Sequence, residues 1–283
     1  MQEPRTTTLR GIRVITIAPN LPGPLAARRL SRMGATVIKV EAPGGDPAAA
    51  FPEWYAALNE GQHIVTLNLK DDAGRNEFLS LLSEADVLLS SMRPSAASRL
   101  GLYDMIELAG ISHVEIVGDT EHPDDPGHDL TYQAQAGVLQ GPDVPRVPWA
   151  DVVGGERAAT AALEMLLERK LKPTADTPPA LHRRIGLKQG VDEAAEPFLI
   201  GATAPGQPLS GSAPQYGIYQ TQDGWIALAA IEPHFHAALT ALLGDDRETL
   251  EQQFERRTTA EWSSLAKEHD LPLVAVNRPT TGH

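Results

Sequence analysis

The chain has 283 residues with an apolar fraction of 42% and a charged fraction of 22%, enough for one large globular domain or two smaller ones. A formal net charge of −13 argues against nucleic acid as a partner, and the lack of cysteine excludes disulfides, thiolate nucleophiles and Cys-ligated zinc. No apolar run approaches the length of a membrane span and the opening MQEPRTTTLRG is not a signal peptide, so the expectation is a cytoplasmic protein without membrane association. Residues 1–100 carry eleven Lys/Arg against ten Asp/Glu, which concentrates the acidity in the remainder and makes the first third the better host for a polyanionic small molecule.

Taken in order, Ile12–Ile17 is apolar and β-branched, and predicts a first strand. Pro22-Gly23-Pro24 breaks it. A helix is predicted over Leu25–Met33, then a strand over Thr36–Val40, a βαβ unit with parallel pairing and a right-handed crossover. No G-x-G-x-x-G follows the first strand, so a dinucleotide fingerprint is absent. Phe51–Leu58 reads as a short helix or ordered loop. Strands follow at His63–Leu69, Asp86–Leu89 and His113–Val117, separated by helices at Asp71–Ser83 and Tyr103–Leu108. This alternation predicts an α/β fold, a doubly wound, mostly parallel, Rossmann-like sheet. Ligands of such sheets lie beyond the carboxyl ends of the strands, here the loops at Pro19–Pro24, Ala42–Asp46 and Arg93–Pro94.

Residues 171–214 are rich in Pro, Ala, Thr and Gly, and read as a linker or loosely folded passage. Beyond it, Tyr216–Tyr219 and Trp225–Ala229 flank an Asp-Gly turn and predict a hairpin. Glu232-Pro233 opens a helix to Leu243, Arg247–His269 is helical in pieces, and Leu271–Val276 is a last short strand. The expected organisation is a large α/β domain over residues 1–200 and a small α+β domain over 201–283.

The stretch Gly127–Lys170 holds two titratable groups before apolar-periodic segments, His128 and Asp151. If both segments are helices, each group stands at a helix start, where N–H groups and the dipole favour negative charge and can stabilise an oxyanion. Asp151, and Asp129 beside His128, are equally what plain N-capping would select. Glu232 precedes Pro233 at a helix start where Glu is not a preferred cap, which points to another role. His234 and His236 stand two apart on a helix, face different ways and make a poor ligand pair, so no metal is expected.

Together LRGIRVITIAPNLPGPLAARRLSRMGATVIKVEAPGGDP, ALNEGQHIVTLNLKDDAGR, MRPSAASRLGL, GHDLTYQAQAGVL, ADVVGGERAATAALEMLLER and APQYGIYQTQDGWIALAAIEPHF resemble the class III CoA-transferase family, which includes formyl-CoA and carnitine CoA-transferases. Within it the chain is most similar to the α-methylacyl-CoA racemase branch, which has His where the transferases have Tyr. The resemblance implies His128 and Asp151 as opposed proton-transfer groups, with Glu232 beside the His. It implies CoA contacts at the backbone of Ala57–Leu58 and at Arg93, Asp129 and Tyr132, a coenzyme A thioester as substrate, no tightly bound cofactor, and a homodimer. The chain departs from the family where Glu60 and Gln62 replace basic residues and Ser95 replaces a Gly. The leading reading is a racemase acting by 1,1-proton transfer α to a thioester. The alternatives are a CoA-transferase with Asp151 as nucleophile, and a non-catalytic binder of acyl ligands.

Overall fold

A computed structural model describes residues 6–139, 141–171 and 180–277, in two compact units, residues 1–195 and 196–283. In the first, β1 (Arg13–Thr16), α1 (Pro22–Arg32), β2 (Thr36–Glu41), α2 (Pro52–Leu58), β3 (Gln62–Thr66), α3 (Asp72–Ser83) and β4 (Val87–Ser90) follow one another. Then come α4 (Pro94–Leu100), α5 (Leu102–Ala109), β5 (Ser112–Val117), α6 (Asp129–Gln135), α7 (Trp149–Leu171), β6 (His182–Gly186) and α8 (Leu187–Leu199), the last four residues of which fall in the second unit. The six strands form one parallel sheet in the order β3-β2-β1-β4-β5-β6. The order reverses between β1 and β4, the place where doubly wound sheets open a crevice.

Strand alternation explains the uninterrupted apolar runs. Val14, Val37, Val87, Leu89, Val114 and Ile116 face α1 and α7, whereas Ile15, Val40 and Leu88 face Phe78 and Leu82 of α3, Ala97 of α4 and Leu102 and Met105 of α5. Both faces are buried, so polar positions are rare. Each fully buried Leu or Val contributes about 1.5–3 kcal/mol relative to exposure. The face under α7 is lined by small residues, Ala158, Ala159, Ala161 and Ala162, which let that helix lie close to α1.

The charged exceptions are paired. Lys39, 1% exposed, donates to Asp46 Oδ2 (2.5 Å) and Asn59 Oδ1 (3.0 Å), and its ammonium lies 2.9 Å from Glu41 Oε1. Asp46 Oδ1 in turn accepts from the backbone N–H groups of Asn20 and Ala48. At the other side of the sheet Glu115 on β5 accepts from Tyr103 Oη (2.5 Å), Arg184 Nε (2.8 Å) and His182 Nε2 (3.2 Å). Burial alone would raise this carboxyl, but those hydrogen bonds outweigh it and hold it down at about 2.

Several expectations need correction. Helix α1 begins at Pro22, three residues early, because prolines in a first turn lose no needed N–H. Arg93-Pro94 likewise opens a helix, α4, with Arg93 at its N-cap. Strand β3 ends at Thr66, short of Leu69. The passage read as a linker holds β6 and α8, although residues 172–179 of it lie outside the described ones. Its sequence HRRIG hides a strand because β6 is an edge strand whose charged side chains bind Glu115 and the α7 glutamates Glu164 and Glu168.

In the second unit, β7 (Tyr216–Gln220), β8 (Trp225–Ala229) and β9 (Leu273–Ala275) form an antiparallel sheet. Helices α9 (Pro233–Leu243), α10 (Arg247–Phe254) and α11 (Thr259–Glu268) cover one face through Leu239, Leu243, Leu250, Phe254 and Trp262. The hairpin and the bounds of α9 agree with the sequence reading, and Gly244 after it takes a φ of 98°.

Candidate active site

Four loops leave the carboxyl ends of β1, β2, β4 and β5 and surround a cavity of about 470 Å³. Pro19–Pro22 come from the first, Pro47, Ala48, Phe51 and Trp54 follow the second, Ser91–Arg93 the third, and Val117, Gly118, Asp125, Gly127 and His128 the fourth. Tyr132 of α6, Asp151 of α7 and Leu187 complete the wall. The structure therefore brings together His128, Asp151, Tyr132 and Arg93 on one cavity.

His128 is the N-cap residue of α6; its backbone N–H donates to Thr131 Oγ1 at 3.0 Å. Tyr132, one turn on, is buried, and its ring fills the space that a Cβ at Gly118 or Gly127 would occupy. The glycine of GHD is thus a packing requirement of the tyrosine. Arg93 is exposed, and its guanidinium makes no hydrogen bond or ion pair among the described residues.

Asp151 is the third residue of α7, which starts at Trp149. It is no cap. The first-turn N–H groups of this helix are engaged elsewhere, Trp149 with Val147 O, Ala150 and Asp151 with Asp129 Oδ1, and Val152 with Pro148 O. The expectation that this helix start offers free donors to an oxyanion is therefore corrected. The Asp151 carboxyl has no hydrogen-bond partner among the described residues. Burial, and secondarily the Asp129 charge, push its pKa from 3.8 to about 7.

Gly154 and Gly155 seat α7. A Cβ on Gly155 would stand 2.8 Å from the Pro22 carbonyl oxygen and 2.8 Å from Leu25 Cδ2, whereas one on Gly154 would meet the flexible end of Leu187. Gly155→Ala is expected to cost about 1–3 kcal/mol by overpacking a backbone atom, despite the roughly 1 kcal/mol that Ala gains in a helix. Gly154→Ala should cost less, since Leu187 can rotate. Urea unfolding of the two variants checks the order.

The remaining expected site residues lie elsewhere. Ala57 and Leu58 do not line the cavity; their carbonyls accept from Arg28 Nη1 and Gln62 Nε2. Asp129 is turned to α7 and Gln133. Glu60 pairs with Arg32 at 3.1 Å, and Gln62 binds the carbonyls of Pro24 and Leu58, so both substituted positions serve internal contacts. Glu232 belongs to the second unit, as the exposed N-cap residue of α9, with no side-chain cap hydrogen bond.

Asn20 lies in the Pro19–Pro24 loop that the sequence placed at the ligand end of the sheet, whereas sequence reasoning missed Phe51 and Trp54 as wall residues. Asn20 has a φ of 66°, a left-handed conformation that Asn tolerates better than most residues, beside its hydrogen bond to Asp46. Phe51 and Trp54 form an edge-on pair with centroids 6.1 Å apart, exposed by 64% and 43%. Among the described residues no helix is long and apolar enough to cross a membrane, and no three His, Asp or Glu side chains are grouped to hold a metal ion.

This doubly wound sheet, with its cavity at the strand-order reversal, matches known proteins along its whole length. The profile of CoA-transferase family III covers residues 9–281, and the chain belongs to that family. It is 27% identical to a probable fatty acyl-CoA transferase of Mycobacterium tuberculosis, over 94% of this chain and 77% of that one. It is 28% identical to the alpha-methylacyl-CoA racemase of Mus musculus, over 92% and 70% of the two chains. An L-carnitine CoA-transferase of a Proteus species is 26% identical over 81% of this chain, which spans only 60% of that relative. A crystal structure of a hypothetical protein from Mycobacterium tuberculosis superposes with a TM-score of 0.80 at 26% identity, covering 98% of this chain and 86% of the other.

Proposed function

We propose that the protein is a racemase or epimerase that moves a proton at the carbon α to an acyl thioester, with a 2-methylacyl-CoA as the substrate class. The observation that supports this most is Asp151, a carboxyl without a hydrogen-bond partner among the described residues, pushed up to about 7 and sharing a cavity wall with His128. A carboxylic acid that is half protonated near neutral pH can both give and take a proton, as 1,1-transfer demands. The His128 imidazole on the same cavity serves as the second group. A nucleophile forming an acyl anhydride acts only as the carboxylate, whose population at neutral pH this upward shift roughly halves.

In this reading one of the pair removes the α-proton and the other returns a proton to the opposite face. The enolate oxygen formed between the steps needs donors. With the first turn of α7 engaged, the N–H groups of Asp129 and Leu130, directly after His128, are donors without an acceptor among the described residues. Arg93 is the cation on the cavity available to a CoA phosphate. Cytoplasmic location and a homodimer belong to the same proposal.

The test is deuterium uptake at Cα of a 2-methylacyl-CoA in heavy water. Wild type should exchange, and His128→Ala should lose about 10²–10⁴-fold. A folded wild type that shows no uptake but passes CoA to a free carboxylic acid would make Asp151 a nucleophile and the protein a transferase, as two of its relatives are named.

A further inference from the structure

Two carboxyl groups stand at the start of α7, and they are not equivalent. Asp129, the first residue of α6, reaches across to it. Its Oδ1 accepts from the N–H groups of Ala150 (2.8 Å) and Asp151 (3.2 Å), and its Oδ2 accepts from Gln133 Nε2 at 2.7 Å. Gln133 is itself buried, and the same nitrogen donates to Val147 O, in the loop that leads into α7, at 3.1 Å. Both Asp129 oxygens are thus satisfied by protein donors, and none of those donors is a cap of its own helix. Asp151 lies one residue beyond Ala150, next to the same helix start, with its side chain on the cavity and without a donor among the described residues.

A helix start stabilises one carboxylate through its free N–H groups and its dipole, and those donors can be used once. We propose that Asp129 is a positioning residue that decides which of the two neighbouring carboxyls holds the mobile proton. By taking the α7 amide donors for itself, it leaves the Asp151 carboxyl in the cavity with nothing to hold its charge. Asp129 also ties the residue after His128 to the first turn that bears Asp151, so one carboxylate sets the spacing of both groups. The inference rests on the proton-transfer reading of Asp151, and adds to it a division of labour between two acids. The other titratable or charged groups on the Asp151 wall are His128, Tyr132, Arg93 and Asp125, and none is altered by the variants below.

The experiment is an NMR titration of the full chain with ¹³C-labelled aspartate carboxyls, with Asp151 assigned by its absence in Asp151→Asn. Asp129→Asn keeps an oxygen to accept the two amides but removes the charge, so the Asp151 midpoint should fall by about one pH unit or more. Asp129→Ala also releases the amides, and the fall should be larger. Gln133→Leu keeps the Asp129 charge and should leave the midpoint within a few tenths. Should Asp129→Asn not fold, Asp129→Ser, an uncharged residue that caps helices well, replaces it. An unmoved Asp151 midpoint in a folded uncharged variant overturns the proposal and reduces Asp129 to a structural cap. The titration needs no turnover, so it decides this point even if deuterium uptake fails. If the midpoint moves while wild type shows no exchange, only the functional reading falls. Where exchange is observed, the limb of its pH profile that reports Asp151 should shift the same way in Asp129→Asn.

Discussion

Asp151→Asn is expected to abolish α-proton exchange, a loss of about 10²–10⁴-fold or more, while making the protein more stable at pH 8. The two outcomes share one cause. The Asp151 carboxyl rises from 3.8 to about 7 on folding, because burial and then Asp129 disfavour its charged form. A group whose pKa is raised by folding contributes most below its unfolded value, and that contribution drains away as pH climbs through the folded value. Below about pH 4 the wild type holds a neutral acid in both states. Above about pH 7 it must hold a buried carboxylate, at a cost of about 4 kcal/mol for a rise from 3.8 to about 7. The asparagine amide needs no ionisation but lacks a hydrogen-bond partner in the same spot, a penalty of about 1–3 kcal/mol. The net gain at pH 8 should therefore be roughly 1–3 kcal/mol, shrinking to nothing or reversing near pH 4. Urea unfolding across that range reads it directly. A variant equally destabilised at both pH values would show that Asp151 is not held as a neutral acid.

Lys39→Met should be the most damaging single change away from the cavity wall, at about 3–5 kcal/mol. The ammonium is enclosed by Asp46, Glu41 and Asn59 and lies 5.0 Å from the centre of the Tyr55 ring. Removing it leaves two carboxylates uncompensated in a place that is closed to water, the situation in which breaking an ion pair costs most. The damage should also reach the cavity, because Asp46 holds the amide of Asn20 in the loop after β1. Adding Asp46→Asn to Lys39→Met removes one of the stranded charges and should restore part of the loss, so the two changes will not be additive. A loss under about 1 kcal/mol for Lys39→Met would mean that the cluster admits water and that its charges are individually solvated.

What could be read in the chain follows from where each residue gets its partners. Strands β1, β2, β4 and β5 are covered on both faces, so burial alone forces a core such as Val14-Ile15 or Val87-Leu88-Leu89 to be apolar. Strand β6 has only one neighbour strand, and its His182 and Arg184 are selected by Glu115 across the sheet, so no local pattern marks it. His128 and Asp151 stand out in short motifs, and the cavity loops follow from strand order. The use of Asp129 was not legible. Beside a helix start it reads as a cap for its own helix, and only the tertiary approach of α7 turns it elsewhere. The wall formed by Phe51 and Trp54 escaped for a similar reason, since two exposed aromatics near a Pro look like any surface turn until the β1 and β4 loops stand opposite them.

The strand order has a consequence for how this protein comes together. β5 and β6 are neighbours in the sheet, yet the chain between Val117 and His182 holds α6, α7, His128, Asp129 and Asp151. Two neighbouring pairs in the sheet are far apart in the chain, β1 with β4 across residues 17–86 and β5 with β6 across residues 118–181, and each must close a loop of more than sixty residues before its pairing is rewarded. His128 and Asp151 lie in the second of these loops. That loop is closed by an edge strand held through Glu115. A chain whose β6 is not yet paired still holds the five strands β3-β2-β1-β4-β5, with His128 and Asp151 on a loop open at one end.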